Sequence, residues 1–509
     1  MGAVVMFTIT RLMFLQNRFN ACEVGHERWS RSKSPADRAG SDCAGDVGPG
    51  AFWLSRLMNP FGLRSKLALQ AYSLLWVLLS PAMLVYLFYR SLRQPAYRKH
   101  CLERFALSLP GFKHAQGDLI WVHAVSLGET RAASTILGAI AQRYPGHRLL
   151  LTHGTPTGRQ AGADLLTTLG YAKERSLQLY LPYDNCWAMN RFFDRYRPKI
   201  GVMMETEVWP SLISQASRHH TVLVLVSARL SEKSLRKAMR AKILIAPALL
   251  GFNEILCQTQ HDLARIKQVA PDSTCTVCGN LKFDVELVES LLNRGRAWRE
   301  RASGLPGDSG VSNLARGWIV ASSTREGEES LLMEQWLRLA GEVRRKFVLV
   351  LVPRHPQRFG DVAEALEHHC KGLWIRRSDP VFPTLDPTLE IVLGDSLGEM
   401  PAWYALADVV VMGGSLINTG SQNLIEACAA GKPVILGPSI YNFEQAATQA
   451  IAEGAAFQCE SSEILRHALE VAQDRKRCLS MGELGKRFVA RHQGATKRVM
   501  ARLETLLNP

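Results

Sequence analysis

LIWVHAVSLGETRAAST, Leu119 to Thr135, is the stretch whose reading decides the fold. Leu119 to Val125 is a short, mostly apolar run that suits a buried strand, and it stops at a Ser126-Leu127-Gly128 turn. From Glu129 onward the residues are helix-compatible, with Ala132, Ile136 and Ile140 spaced to face a sheet. Glu129 therefore stands where a strand gives way to a helix. In open α/β sheets ligands collect there, outside the carboxyl ends of the strands. A carboxylate held in that place can take a proton from a substrate hydroxyl. The same residue is also an ordinary first-turn acid, complementing the positive end of the helix dipole. The rest of the chain decides between the two.

Working outward, strands are expected at 119–124, 148–152, 199–204, 222–226 and 254–258, with helices near 130–144, 157–169, 185–196, 211–219 and 232–242. A second run places strands at 318–322, 347–352, 373–376, 391–393, 409–412 and 434–436. Such alternation predicts an α/β fold of two doubly wound parallel sheets. Two domains of this kind, facing each other, leave a cleft between their sheet tops. The expected boundaries are 110–300 for the first domain and 318–509, terminal helices included, for the second, with a Gly-, Ser- and Pro-marked loop or insertion at 301–317.

Ahead of these lies a different kind of sequence. Residues 1–57 include a Ser-, Gly-, Asp- and Arg-rich stretch without apolar periodicity, expected to be disordered or an over-long start. Residues 58–109 hold a membrane anchor and basic collar: Leu67 to Tyr89 is uncharged, with Arg64 and Lys66 before it and Arg90, Arg93, Arg98, Lys99 and Arg104 after it. That length suits either a spanning helix or one lying in the interface, and the charge bias places the globular body on the cytoplasmic side. The net charge of +15 favours anionic partners, here an anionic membrane surface. No basic and aromatic block of the kind nucleic acid requires is present, so no nucleic acid partner is expected. The 11 cysteines are scattered and odd in number, which suits reduced thiols, and the close pair Cys275 and Cys278 is read as structural.

Further candidates stand at other strand ends. Met204-Glu205-Thr206-Glu207 brings two carboxylates out at a sheet top near Glu129, and Pro210 opens the next helix. Arg229 and Lys282 are cations suited to a carboxylate or a departing phosphate. In the second domain Pro353 and Pro356 stiffen a turn that presents Arg354 and His355. Gly394 to Met400 is another strand-top loop, and Gly413-Gly414-Ser415 through Glu426 is a glycine-rich turn whose N–H groups suit phosphate. Glu426 is placed to accept hydrogen bonds from a ribose. No G-x-G-x-x-G or Walker loop occurs, which disfavours a dehydrogenase or an ATPase.

HAVSLGE, LTHGTPTGRQ, LPYD, METEVWP, SARLS, GNLKFD, VPRHPQRF, GDSLGEM and the GGS…NLIEACAAGKPVILGP block resemble, in this order, the 3-deoxy-D-manno-octulosonic acid (Kdo) transferases of lipopolysaccharide synthesis. The resemblance covers the chain from about Met58 to its end. It implies the GT-B glycosyltransferase architecture, with two Rossmann-like domains, an N-terminal membrane-anchor helix, and a place on the cytoplasmic face of the bacterial inner membrane. It also implies inverting transfer of Kdo from the co-substrate CMP-Kdo to the lipid A precursor (lipid IVA), with no metal and no further cofactor. By motif, Glu129 would be the general base, with Glu205 and Lys282 assisting the transition state. Pro353 and Arg354, then Leu397, Gly398 and Glu399, then Asn423, Leu424, Ile425 and Glu426, would bind CMP. Two departures stand out: the family usually has Val at Leu127, and Gly-His-Asn-Pro-Leu-Glu-Pro where this chain has Gly420-Ser421-Gln422-Asn423-Leu424-Ile425-Glu426-Ala427. Two other readings stay open, a membrane-surface glycosyltransferase using a UDP-sugar and a different lipid, and a catalytically silent, membrane-anchored nucleotide-binding or scaffold protein.

Overall fold

The computed structural model describes residues 60–508, except 114–115, 303–315, 385 and 387. The expected 1–57 segment and most of the expected 301–317 loop thus lie outside the described residues. The chain forms two compact units, Met1–Leu281 with Gly494–Pro509, and Lys282–Gln493.

The first unit is built on a seven-stranded parallel sheet in the order β3-β2-β1-β4-β5-β6-β7. Its strands are β1 (Leu119–His123), β2 (Arg148–His153), β3 (Ser176–Tyr180), β4 (Ile200–Met204), β5 (Val222–Ala228), β6 (Glu254–Cys257) and β7 (Cys275–Val277). Alternation along β1 explains why it is central. Trp121 packs among Phe192 and Phe193 on one face, while Ile120 and Val122 meet Ile136, Leu137 and Ile140 on the other. A strand covered on both faces reads as one continuous apolar run.

The second unit repeats the design, in the order β10-β11-β9-β8-β12-β13-β14. Its strands are β8 (Gly317–Thr324), β9 (Phe347–Pro353), β10 (Trp374–Arg376), β11 (Ile391–Leu393), β12 (Val409–Met412), β13 (Val434–Leu436) and β14 (Ala456–Gln458). All its pairings are parallel too. Both units are therefore Rossmann-like, as the alternating pattern predicts.

Several expectations need correction. β3, β7 and β14 were not anticipated, because each is a short edge strand and its sequence (SLQLY, CTV, AFQ) lacks a sustained apolar run. The helix expected at 130–144 is two helices, Leu127–Ala132 and Ser134–Arg143. The helix Ala495–Leu507 belongs to the first unit, not to the second. Its buried stripe of Val499, Leu503, Leu506 and Leu507 completes the cluster of Ile136, Leu137 and Ile140, and Arg502 Nε reaches Glu254 Oε1 at 2.8 Å. Conversely, Glu289–Ala302, assigned to the first domain by sequence, packs in the second. Trp298 lies 4.9 Å from Trp403, and Gly295 approaches so closely that a Cβ there would lie 2.1 Å from the Ala402 carbonyl oxygen.

The apolar segment forms the helix Leu63–Arg93. One side of it is fastened to the first unit: Leu69, Trp76 and Leu87 are buried, Trp76 stacks on Tyr183 at 5.5 Å, and Ser73 Oγ accepts from the Cys186 N–H at 2.9 Å. Its other side exposes Leu67, Leu74, Leu78, Val85, Phe88 and Leu92. Arg104 leaves the expected collar. It is buried, with its guanidinium 3.8 Å from the Tyr180 ring centroid and donating to the Gly154 carbonyl.

Candidate active site

The order of the first sheet puts its switch point between β1 and β4, where the chain runs outward in both directions. The two loops leaving that point carry Glu129 and the Glu205, Glu207 pair. Ser126 caps the helix Leu127–Ala132, its side chain accepting from the Glu129 N–H. The Glu129 carboxylate turns back to accept from the Val125 N–H at 2.7 Å through Oε2, and from the Ser126 hydroxyl at 3.3 Å through Oε1. This is a variant of the capping box, and it fixes the carboxylate in one orientation.

Glu205 follows β4 with φ +56, a left-handed conformation that costs a non-glycine residue ~1–3 kcal/mol and gathers at functional sites. Its N–H donates to the Val226 carbonyl, and Arg229 Nε lies 3.3 Å from its Oε2. Glu207 is buried and accepts from Trp209 Nε1 at 2.6 Å. The three carboxyls feel one another. Burial first, then the charges of Glu207 and Glu205, push the Glu129 carboxyl up to about 8. Burial likewise raises Glu207, against the Trp209 hydrogen bond. Burial pushes the nearby strand histidines down instead, His123 to about 3 and His153 to about 4, so both are neutral. Glu129 is thus the group of β1 and its following turn poised to exchange a proton near neutral pH.

In the second unit β8 and β12 flank the corresponding switch point. Gly413 there lies so close to the last residues of β8 that a Cβ would sit 2.4 Å from the Ser323 carbonyl oxygen, and Ser323 itself has φ +56. Glu328, fully buried, ties the two loops together by accepting from the N–H groups of Arg325 (2.8 Å), Gly414 (2.7 Å) and Leu416 (2.9 Å). Pro353 closes β9, and the Arg354 N–H donates to the Thr324 carbonyl. His355 is pushed down by burial and by Arg325, Arg354 and Arg358, a cluster of cations at the ends of β8 and β9. Burial raises the Tyr404 hydroxyl, the charge of Glu426 adds to that rise, and the charge of Arg354 opposes it.

Asn423 Nδ2 donates to Glu426 Oε1 at 3.1 Å, and the Ile425 N–H donates to Asn423 Oδ1. Leu397 is exposed and Gly398 has φ +78. The Glu399 carboxylate accepts from Arg294 (2.8 Å), Arg377 (3.1 Å) and the Ser396 hydroxyl. Burial alone would raise it, but Ser396 and the two guanidiniums hold it below the ordinary range. Lys282, expected in the first domain, groups with the second, where its Nζ lies 5.6 Å from the Phe443 ring centroid.

The family model described as 3-Deoxy-D-manno-octulosonic-acid transferase (kdotransferase) matches residues 99–285. The 3-deoxy-D-manno-octulosonic acid transferase of Bordetella pertussis is 41% identical over 391 residues, 76% of this chain and 87% of that protein. The chain belongs to the Kdo transferase family. The enzyme of the same name from Haemophilus influenzae is 29% identical over 443 residues, 86% of this chain and 98% of that one. Among solved structures, UDP-GlcNAc 2-epimerase from Neisseria meningitidis bound to UDP-GlcNAc aligns over 76% of this chain and 100% of its own with TM-score 0.50 and 11% identity, which speaks to the fold alone. As a Kdo transferase the protein is a glycosyltransferase of lipopolysaccharide biosynthesis.

Some residues of the candidate site in this Kdo transferase were not anticipated. Glu328 and Arg325 stand in STREGEE, Ser323 to Glu329, where Gly327 and the acids around it follow a strand, the same signal that marks Glu129. Trp209, which holds Glu207, lies within METEVWP but was given no role of its own.

Proposed function

We propose that the chain transfers Kdo from CMP-Kdo to a hydroxyl of the lipid A precursor lipid IVA, inverting the anomeric carbon, with Glu129 as general base. The observation that carries this reading is the raised Glu129 carboxyl at the switch point of the first sheet, beside Glu205 and Glu207. Burial and like charge make its ionised form avid for a proton, as a base for an alcohol must be. The Val125 N–H occupies Oε2, and Oε1, with only the longer Ser126 contact, takes the proton. A single displacement on the face opposite the departing CMP gives inversion and needs no protein nucleophile.

Glu205, steadied by Arg229, and Lys282 assist the transition state, the ammonium offsetting charge on the departing phosphate. Pro353, Arg354 and Asn423 to Glu426 hold CMP. Leu397, Gly398 and Glu399 contribute through their main chain, since the Glu399 carboxylate is taken up by Arg294 and Arg377. The proposal includes no metal and no cofactor beyond the co-substrate.

The helix Leu63–Arg93 would lie in the membrane interface rather than cross it, at the cytoplasmic face of the inner membrane. One side is fastened to the first unit along its length and the other offers a row of exposed apolar side chains. Purified full-length chain, CMP-Kdo and lipid A precursor provide the test. Mass spectrometry should show the lipid gaining one or more Kdo units. CMP release without any gain in lipid mass would overturn the reading.

A further inference from the structure

The second unit holds a cavity that the proposed CMP contacts leave unused. Its volume of about 400 Å3 falls within the ~300–1,000 Å3 typical of small-molecule sites. Two loops wall it: residues 416–418, after β12, and residues 438–441, after β13, with Glu444 joining from the first turn of the helix Glu444–Ala452. The walls are preformed. The Gly420 N–H donates to Ser439 Oγ at 2.9 Å, the Asn442 N–H donates to the Gly420 carbonyl at 2.9 Å, and Asn442 Nδ2 donates to the Thr419 carbonyl at 2.9 Å. Gly420, with φ +88, lets the Tyr441 ring lie against the loop, for a Cβ there would sit 2.5 Å from that ring.

The lining has a definite chemistry. Tyr441 offers an exposed ring, Leu416 and Ile440 are apolar, and Asn418, Ser439 and Glu444 are polar. An aromatic face suits the C–H side of a sugar, and a carboxylate beside a hydroxyl and an amide suits its alcohol groups. A phosphate or carboxylate would be repelled by Glu444. The next residue back, Phe443, carries Lys282 Nζ over its ring, so a proposed transition-state group stands beside this cavity.

We propose that the cavity is the subsite for the hydroxyl-bearing tail of the donor sugar, with Tyr441 beneath its carbon face and Glu444, Ser439 and Asn418 on its alcohols. This rests on the transferase reading above. The sugar's own carboxylate then turns away from the like charge of Glu444. Charge alone would set the orientation of the sugar in the site.

The test compares Glu444→Gln and Tyr441→Ala with the wild-type full chain, measuring CMP affinity by calorimetry and KM for CMP-Kdo by transfer. CMP affinity should stay within about twofold while KM for CMP-Kdo rises ~10-fold in each variant. If both KM values stay at the wild-type level while wild type transfers Kdo, the subsite is overturned and the transferase reading stands. Loss of CMP affinity equal to the rise in KM would also overturn it, because the cavity would then serve the nucleotide. Absence of Kdo transfer by the wild type is the separate result that removes the underlying reading.

Discussion

Glu129 is a carboxyl that the fold keeps from ionising, and that has consequences for both stability and rate. Its folded pKa lies above its unfolded value, so the stability it contributes is full below the unfolded value of 4.5 and is lost as pH rises through about 8. Glu207 shifts in the same direction. Glu129→Gln, which cannot ionise, should therefore raise Tm more at pH 8 than at pH 5, as thermal melts at the two values would show. The rate has the opposite dependence. A base must be deprotonated to act, so kcat/KM should climb from neutral pH and level off above about 8. A flat profile across that range would remove Glu129 as the titrating group.

At the level of loops and strands, much depends on how closely the turn after β12 approaches the turn after β8. Glu328 gathers three N–H groups that would otherwise be buried without partners. Glu328→Ala should cost ~3 kcal/mol or more in denaturant unfolding and weaken CMP binding with it. Gly413→Ala should fail for a steric reason, since its Cβ would meet backbone at 2.4 Å and not a side chain that can move. The central strands were legible in the sequence because burial on both faces writes them as unbroken apolar runs, as in β1 and β9. Three of the four edge strands, β3, β7 and β14, were not, because none carries a sustained apolar run. Candidate residues at strand ends could be read from position alone: Glu129, Glu205 and Arg354 each follow a recognisable strand. Glu328 escaped notice because its role depends on two loops ~90 residues apart in sequence, and local pattern does not record such contacts.

Across the whole chain, the course of the polypeptide ties function to its two ends. The helix Ala495–Leu507 completes the core of the first unit, so removing residues 494–509 should destabilise that unit while CMP affinity stays within about twofold of wild type. Sequence reasoning placed this helix in the second domain because adjacency along the chain was the only guide. The exposed side of the helix Leu63–Arg93 should govern membrane binding: Leu78→Asp with Val85→Asp should weaken binding to anionic vesicles by ~10-fold or more, measured by flotation. The most direct test of the account is single-turnover Kdo transfer by Glu129→Gln, alongside its affinity for CMP. The account predicts CMP affinity within about twofold of wild type and transfer slower by ~10²-fold or more. Transfer at the wild-type rate would contradict it.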